Sequence, residues 1–254
     1  PFITRSYSPE SYGTFSITYS LVLVLSVFAS LSLPNALVLT KTKEDFYSLV
    51  RLSLYLLSAF SLFILCIIFL FKEKVLFFLE LELLGNWVFL IPVFLFLVSV
   101  YQILSNWNVR LKEFRRSGKI KVLFTVVSKM TAILGSRFFL QHPVIMILAE
   151  MIAYTIQNIL LFSKSMRAEF REFKLYKGTQ KMRATLSAYS DYPRFFMFTN
   201  LLIVGYTYLQ NFIIAKSYGV ENTGYYSLAN SITGIPVQLF SLAVAPLFYQ
   251  KFSE

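Results

Sequence analysis

Between residues 46 and 71 the chain reads FYSLVRLSLYLLSAFSLFILCIIFLF, with a single charge, Arg51, near its start. At 1.5 Å rise per residue, about twenty apolar residues cross the roughly 30 Å hydrocarbon core of a bilayer. Lipid offers the backbone no partner, so only a helix or a closed barrel can span it. A barrel strand is about ten residues of strict alternation, and this stretch does not alternate. It is too long and too continuous for a core helix of a soluble domain. It predicts a transmembrane helix.

The same pattern recurs along the chain. The predicted spans are 14–38, 47–71, 84–105, 121–138, 143–163, 195–215 and 224–249. The fourth is the shortest and carries Lys129. Only 15% of the chain is charged, against about a quarter in soluble domains. The expected fold class is an all-α integral membrane protein with about seven transmembrane helices.

Charge orients this arrangement. A net charge of +11 would suggest nucleic acid in a soluble protein. Here it reads as loops facing anionic lipid, with no nucleic-acid partner. If the seven spans alternate, eighteen Lys and Arg residues fall on one side and five on the other, with Lys129 inside a span. The rich side comprises the loop 39–46 and its flank, the loops 106–121 and 164–194, and Lys251. The positive-inside rule places it in the cytoplasm and residue 1 outside. The segment 164–194 is the most polar. Its Phe170, Phe173, Leu175 and Tyr176, among eight basic residues, suit an amphipathic helix lying on the membrane. It divides the chain into a first lobe, 1–163, a basic linker, 164–192, and the start of a second lobe, 193–254. An outside start without a signal sequence, and an end at YQKFSE directly after a span, are expected of a fragment of a longer protein.

Polar residues within the spans are the candidates for function, because ionisable groups there are costly and line cavities or pair. Lys129 and Glu150 lie at matched depth on consecutive helices joined by a turn at 139–142. Either a structural ion pair or a cavity-facing role accounts for them. Glu150, Tyr154, Gln157 and Asn158 share an arc of about 100° on a helical projection. Thr125, Lys129 and Ser136 share a face of the preceding helix. Thr199, Asn200, Tyr206, Thr207, Gln210 and Asn211 form a third polar face. Ser227, Asn230, Ser231, Gly234, Gln238, Ser241 and Ala245 form a fourth. Small and amide side chains on one face suit tight helix packing or a hydrated wall for hydroxyl-rich ligands. Gly234 and Pro236 mark a bend and a candidate hinge. Cys66 lies in an apolar run and is read as a packed side chain. His142 stands alone beside Pro143. No metal set, glycine-rich phosphate loop or soluble catalytic domain is present, so no enzyme activity and no cofactor are expected.

Three segments carry a resemblance. PFITRSYSPESYGTFSI, with Thr4, Arg5, Tyr7, Ser8, Pro9, Glu10, Gly13 and Phe15, resembles the "LxTRxYSPExFGxF" segment of bacterial polysaccharide and O-antigen flippases. ALVLTKTKEDFYSLVRLS is similar to that family's "AIVLPKxxEEAxxLxxLS", with Thr40 where proline is usual. The C-terminal KSYGVENTGYYSLANSITGIPVQLFSLAVAPLFYQKFSE is similar to the opening of the family's second lobe through Gly219, Gly224, Tyr226, Ala229, Pro236, Val244, Phe248 and Tyr249. The family belongs to the multidrug, oligosaccharide-lipid and polysaccharide exporters. The resemblance implies a two-lobe fold of twelve to fourteen spans around a central cavity, of which this chain would lack most of the first helix and about half of the second lobe. It implies alternating-access transport of an undecaprenyl-type lipid-linked oligosaccharide for surface polysaccharide, O-antigen or lipopolysaccharide biosynthesis. Membrane lipids and a polysaccharide polymerase machinery are the implied partners. An anionic carrier head group would need a cation in the cavity, for which Lys129 and Arg137 are the candidates. Glu150 is the candidate for ion coupling. A drug or cation exporter of the same superfamily and a non-transporting membrane scaffold are the competing readings.

Overall fold

The computed structural model describes residues 6–138, 142–175 and 181–234. Among them every regular element is helical. The first helix, α1 (Pro9–Ser30), starts where the sequence SPE supplies its own cap. The Ser8 hydroxyl accepts from the Ser11 amide at 3.2 Å, Pro9 occupies the first turn, and Glu10 adds negative charge there. The helix ends well short of the predicted residue 38. Leu31 and Ser32 adopt left-handed backbone, with φ of 48° and 56°. The break fits Pro34, which has no N–H to offer the Ser30 carbonyl. A short helix, α2 (Leu33–Ala36), and one 3₁₀ turn (Leu37–Leu39) follow.

Helix α3 (Lys43–Phe78) is capped by Thr42, whose hydroxyl accepts from the Asp45 amide. Its 36 residues span about 54 Å, well beyond the hydrocarbon core. Its helical geometry is interrupted at Phe71, where the apolar run gives way to Lys72, Glu73 and Lys74. Leu62, Phe63, Phe69 and Leu70 on α3 are each more than half exposed, a surface suited to lipid and costly in water. Cys66 shares that exposure. The expectation that it is packed is therefore corrected: among the described residues no helix covers this side of α3, and a thiol is apolar enough to face lipid.

A 3₁₀ segment (Glu82–Phe89) leads into α4 (Leu90–Arg110), and α5 (Phe114–Phe138) and α6 (Pro143–Leu161) form an antiparallel pair. His142, unassigned by sequence, caps α6: its Nδ1 accepts from the Val144 amide at 3.3 Å. The core gathers Phe46, Leu57, Leu84, Ile91, Phe94 and Leu95 between α3, α4 and their neighbours.

Two helices lie within the linker segment, α7 (Lys164–Leu175) and α8 (Lys181–Ala188). Phe173 of α7 is buried, edge-on to Tyr47 and Trp107, and the Arg51 guanidinium lies over its ring. Trp107 Nε1 donates to Glu169 Oε2 at 2.9 Å, and Glu172 Oε2 accepts from Lys43 Nζ and the Tyr47 hydroxyl. The apolar side of α7 thus docks on the ends of α3 and α4, where a membrane surface was expected. The side chain of Leu175, and Tyr176, lie outside the described residues. A π-helical turn (Tyr192–Phe196) opens α9 (Met197–Tyr218), Gly219 ends it, and residues 220–234 form a further helix, α10.

Among the described residues five helical segments are long and apolar enough to cross a membrane: Pro9–Ser30, Lys43–Phe78, Glu82–Arg110, Pro143–Leu161 and Tyr192–Tyr218. They correspond to five of the seven predicted spans. The predicted span 121–138 lies within α5, whose basic first turns and Lys129 set it apart by composition. The predicted 224–249 begins in α10, and its remainder lies outside the described residues.

Candidate functional site

The α1 and α9 helices pack along a seam, and polar side chains collect there. Tyr12, Ser16, Tyr19 and Ser20 of α1 recur at helical spacing. They face Thr207, Tyr208 and Asn211 of α9, Ser227, Asn230 and Ser231 of α10, and Thr125, Ser128 and Lys129 of α5. With Glu150 of α6 and Gly234 they line a cavity of about 500 Å³. The walls are cross-tied. Asn211 Nδ2 donates to Ser20 Oγ at 2.8 Å, while Asn211 Oδ1 accepts from Ser227 Oγ at 3.1 Å.

One ion pair sits in this wall. Glu150 is buried, and its Oε1 accepts from the buried Ser128 hydroxyl at 2.6 Å and from Lys129 Nζ at 3.2 Å. The Lys129 side chain is 49% exposed against 8% for Glu150. An ammonium carries three donors. Glu150 takes one, and no other acceptor for Lys129 occurs among the described residues. The pair therefore has a buried anionic half and a cationic half open to the cavity. Behind it Tyr19 meets Tyr154, whose hydroxyl lies 3.4 Å away, and Tyr154 stacks edge-on against Phe124.

A second cavity, of about 370 Å³, continues along the same seam. It is lined by Ser26, Ser30, Ser32, Asn35, Gln102 and Asn200, among others, and by no charged side chain among the described residues. Asn200 Nδ2 donates to Ser32 Oγ at 2.9 Å, and Gln102 Nε2 to Ser26 Oγ at 3.1 Å. Tyr208 lines both cavities and meets Tyr19 edge-on, with ring centroids 6.4 Å apart.

The structure divides the residues singled out by sequence. Lys129, Glu150, Asn211, Asn230 and Gly234 line the first cavity and Asn200 the second. Gln157 and Asn158 instead lie buried in the protein interior, where Asn158 Nδ2 donates to the Leu97 carbonyl of α4. These two side chains of the arc face packed helices, while Glu150 on the same arc borders the cavity. Gln210 hydrogen-bonds the Tyr226 hydroxyl of α10. Arg137 is exposed near the end of α5 and lines neither cavity. Gln238 and Pro236 lie outside the described residues. Sequence reasoning missed Tyr12, Ser16, Tyr19 and Ser20. Their spacing of four, seven and eight residues was the available signal. Among the described residues no three His, Cys, Asp or Glu side chains converge as a metal-ligand set.

The N-terminal segment has a structural role at this site. The Tyr7 hydroxyl donates to the Ala132 carbonyl of α5 at 2.7 Å. Gly13 and Gly224 bring α1 and α10 into backbone contact. A Cβ on Gly13 would lie 2.0 Å from the Val220 carbonyl oxygen, and one on Gly224 1.8 Å from that of Pro9. Only glycine permits this approach.

Long apolar helices, with polar-lined cavities along one seam, define a multi-pass helical membrane protein. The chain belongs to a family described as polysaccharide biosynthesis protein, which it matches over residues 2–254. No curated protein and no solved structure matches it.

Proposed function

We propose that this chain is part of a flippase that moves a lipid-linked oligosaccharide, of the undecaprenyl type, across a bacterial inner membrane by alternating access, without covalent chemistry. In this reading residues 1–163 are the first lobe, 164–192 the cytoplasmic linker and 193–254 the opening of the second lobe, with seven spans in all. The seam between α1 and α9 is then the boundary between lobes, and its cavities are the hydrated route for the glycan. A polysaccharide polymerase machinery would take up the product. The observation that carries the reading is the half-exposed Lys129 ammonium, held by a buried Glu150 and facing a wall of hydroxyls and amides. A cation there suits an anionic diphosphate. Hydroxyls and amides that both donate and accept suit sugar hydroxyls.

The test is a double-mutant cycle. Lys129→Met strands a buried carboxylate, which costs about 3–5 kcal/mol when the loss is complete and less here because the pair borders the cavity. Glu150→Gln restores neutrality. Lys129→Met should lower abundance, and the double variant should recover abundance but not surface polysaccharide. Recovery of transport at normal abundance refutes a substrate role for Lys129. A drug or cation exporter is the second reading, favoured by the carboxylate among Tyr12, Phe15, Tyr19, Phe124 and Tyr208. It predicts that Glu150→Gln alone abolishes export of a lipophilic cation.

A further inference from the structure

The basic first turns of α5 are not used by the cavity. Arg115, Arg116 and Lys119 line a separate pocket of about 430 Å³ with Ile120 and Leu160. Arg116 is committed to structure. It donates to the Leu160 carbonyl at 2.6 Å, near the end of α6, and lies 3.7 Å from Glu113, the one acidic group paired with this cluster among the described residues. Arg115 and Lys119 are exposed, with no acidic partner among the described residues. The same face of α5 then becomes apolar. Arg115, Lys119, Val122, Val126 and Met130 fall within an arc of about 80° at 100° per residue. Val122 and Met130 are more than half exposed, as is Ile159 on the adjoining α6. Cations for one turn and aliphatic surface for the next three match an amphiphile with an anionic head and a hydrocarbon tail.

We propose that this pocket binds a lipid phosphate, with the head group on Arg115 and Lys119 and the chain along Val122, Val126 and Met130. Basic pockets beside membrane helices recognise anionic head groups through this combination. The site is separate from the Lys129 cavity and stands whether or not the chain is a transporter. The phosphate can belong to a bulk phospholipid or to a polyprenyl diphosphate carrier, and the two are separable by competition.

Native mass spectrometry of the purified protein titrated with phosphatidylglycerol reads the site directly. Arg115→Gln/Lys119→Gln should weaken the tightest-bound lipid about thirty-fold, given the usual contribution of each surface Lys or Arg to anionic-lipid binding. Lys72→Gln/Lys74→Gln, which removes equal charge at the far part of α3, should leave it unchanged. Arg115→Lys/Lys119→Arg should retain it. Displacement by polyprenyl diphosphate at lower concentration than phosphatidylglycerol assigns the site to the carrier, and resistance to it assigns the site to phospholipid. Both outcomes support a lipid-phosphate site. Equal affinity in the Gln variant, equal loss in the Lys72/Lys74 control, or displacement by inorganic phosphate overturns it.

Discussion

Alanine at Gly224 is the sharpest probe of how α1 and α10 meet. Its Cβ would lie 1.8 Å from the Pro9 carbonyl oxygen. The closest ordinary carbon–oxygen approach is about 3.3 Å, so the backbones must part by about 1.5 Å. The obstructing atom is main chain and cannot rotate away as a side chain can. Overpacking of this kind costs about 1–3 kcal/mol. Gly13→Ala, 2.0 Å from the Val220 oxygen, should behave alike. The double variant should cost less than the sum, since one separation relieves both clashes. Gly118→Ala is the control: nothing lies within 4 Å of its Cβ, so it should be neutral or stabilise by up to about 1 kcal/mol. Unfolding in detergent measures the energy. Cross-linking of Tyr12→Cys with Ser231→Cys by a short bifunctional thiol reagent, in a Cys66→Ala background, measures the separation, since the native hydroxyls are 3.4 Å apart. A Gly224→Ala protein within about 0.5 kcal/mol of the parent, with unchanged cross-linking, would refute the backbone contact.

Three further outcomes are expected. Trp107→Phe removes the donor to Glu169 and should cost about 1–3 kcal/mol, read as lower unfolding stability and faster proteolysis of the 164–192 segment. Glu172 is held below the usual carboxylate range by the hydrogen bond from Lys43 and then by that from Tyr47. The docking contribution of its ionised form is present above the ordinary carboxylate pKa and lost as pH falls through the lowered one, so hydrogen exchange in α7 should rise in that acidic window and stay flat at neutral pH. Cysteines placed at 112 and 167 should resist an impermeant thiol reagent in intact cells and one at 218 should react; strong labelling at both basic positions would reverse the proposed orientation.

Helices were legible in this sequence because lipid leaves the backbone no alternative, so continuity of apolar residues is enough. Their ends were less so. The break at Leu31 and Ser32 falls inside an apolar run, and only Pro34 signals it. The Lys129–Glu150 pair was legible because consecutive antiparallel helices make depth a matter of counting from the turn. The fate of the polar arcs was not. Glu150 and Asn158 lie on one helix within one arc, yet Glu150 borders a cavity and Asn158 meets the Leu97 carbonyl. A helical projection gives direction and not what occupies it. The docking of α7 on Trp107 and the contact of Gly13 with α10 join residues 62 and about 200 positions apart. Local periodicity carries no information at that separation. Which polar face is packed and which is open depends on where other helices lie, and only their assembly decides it.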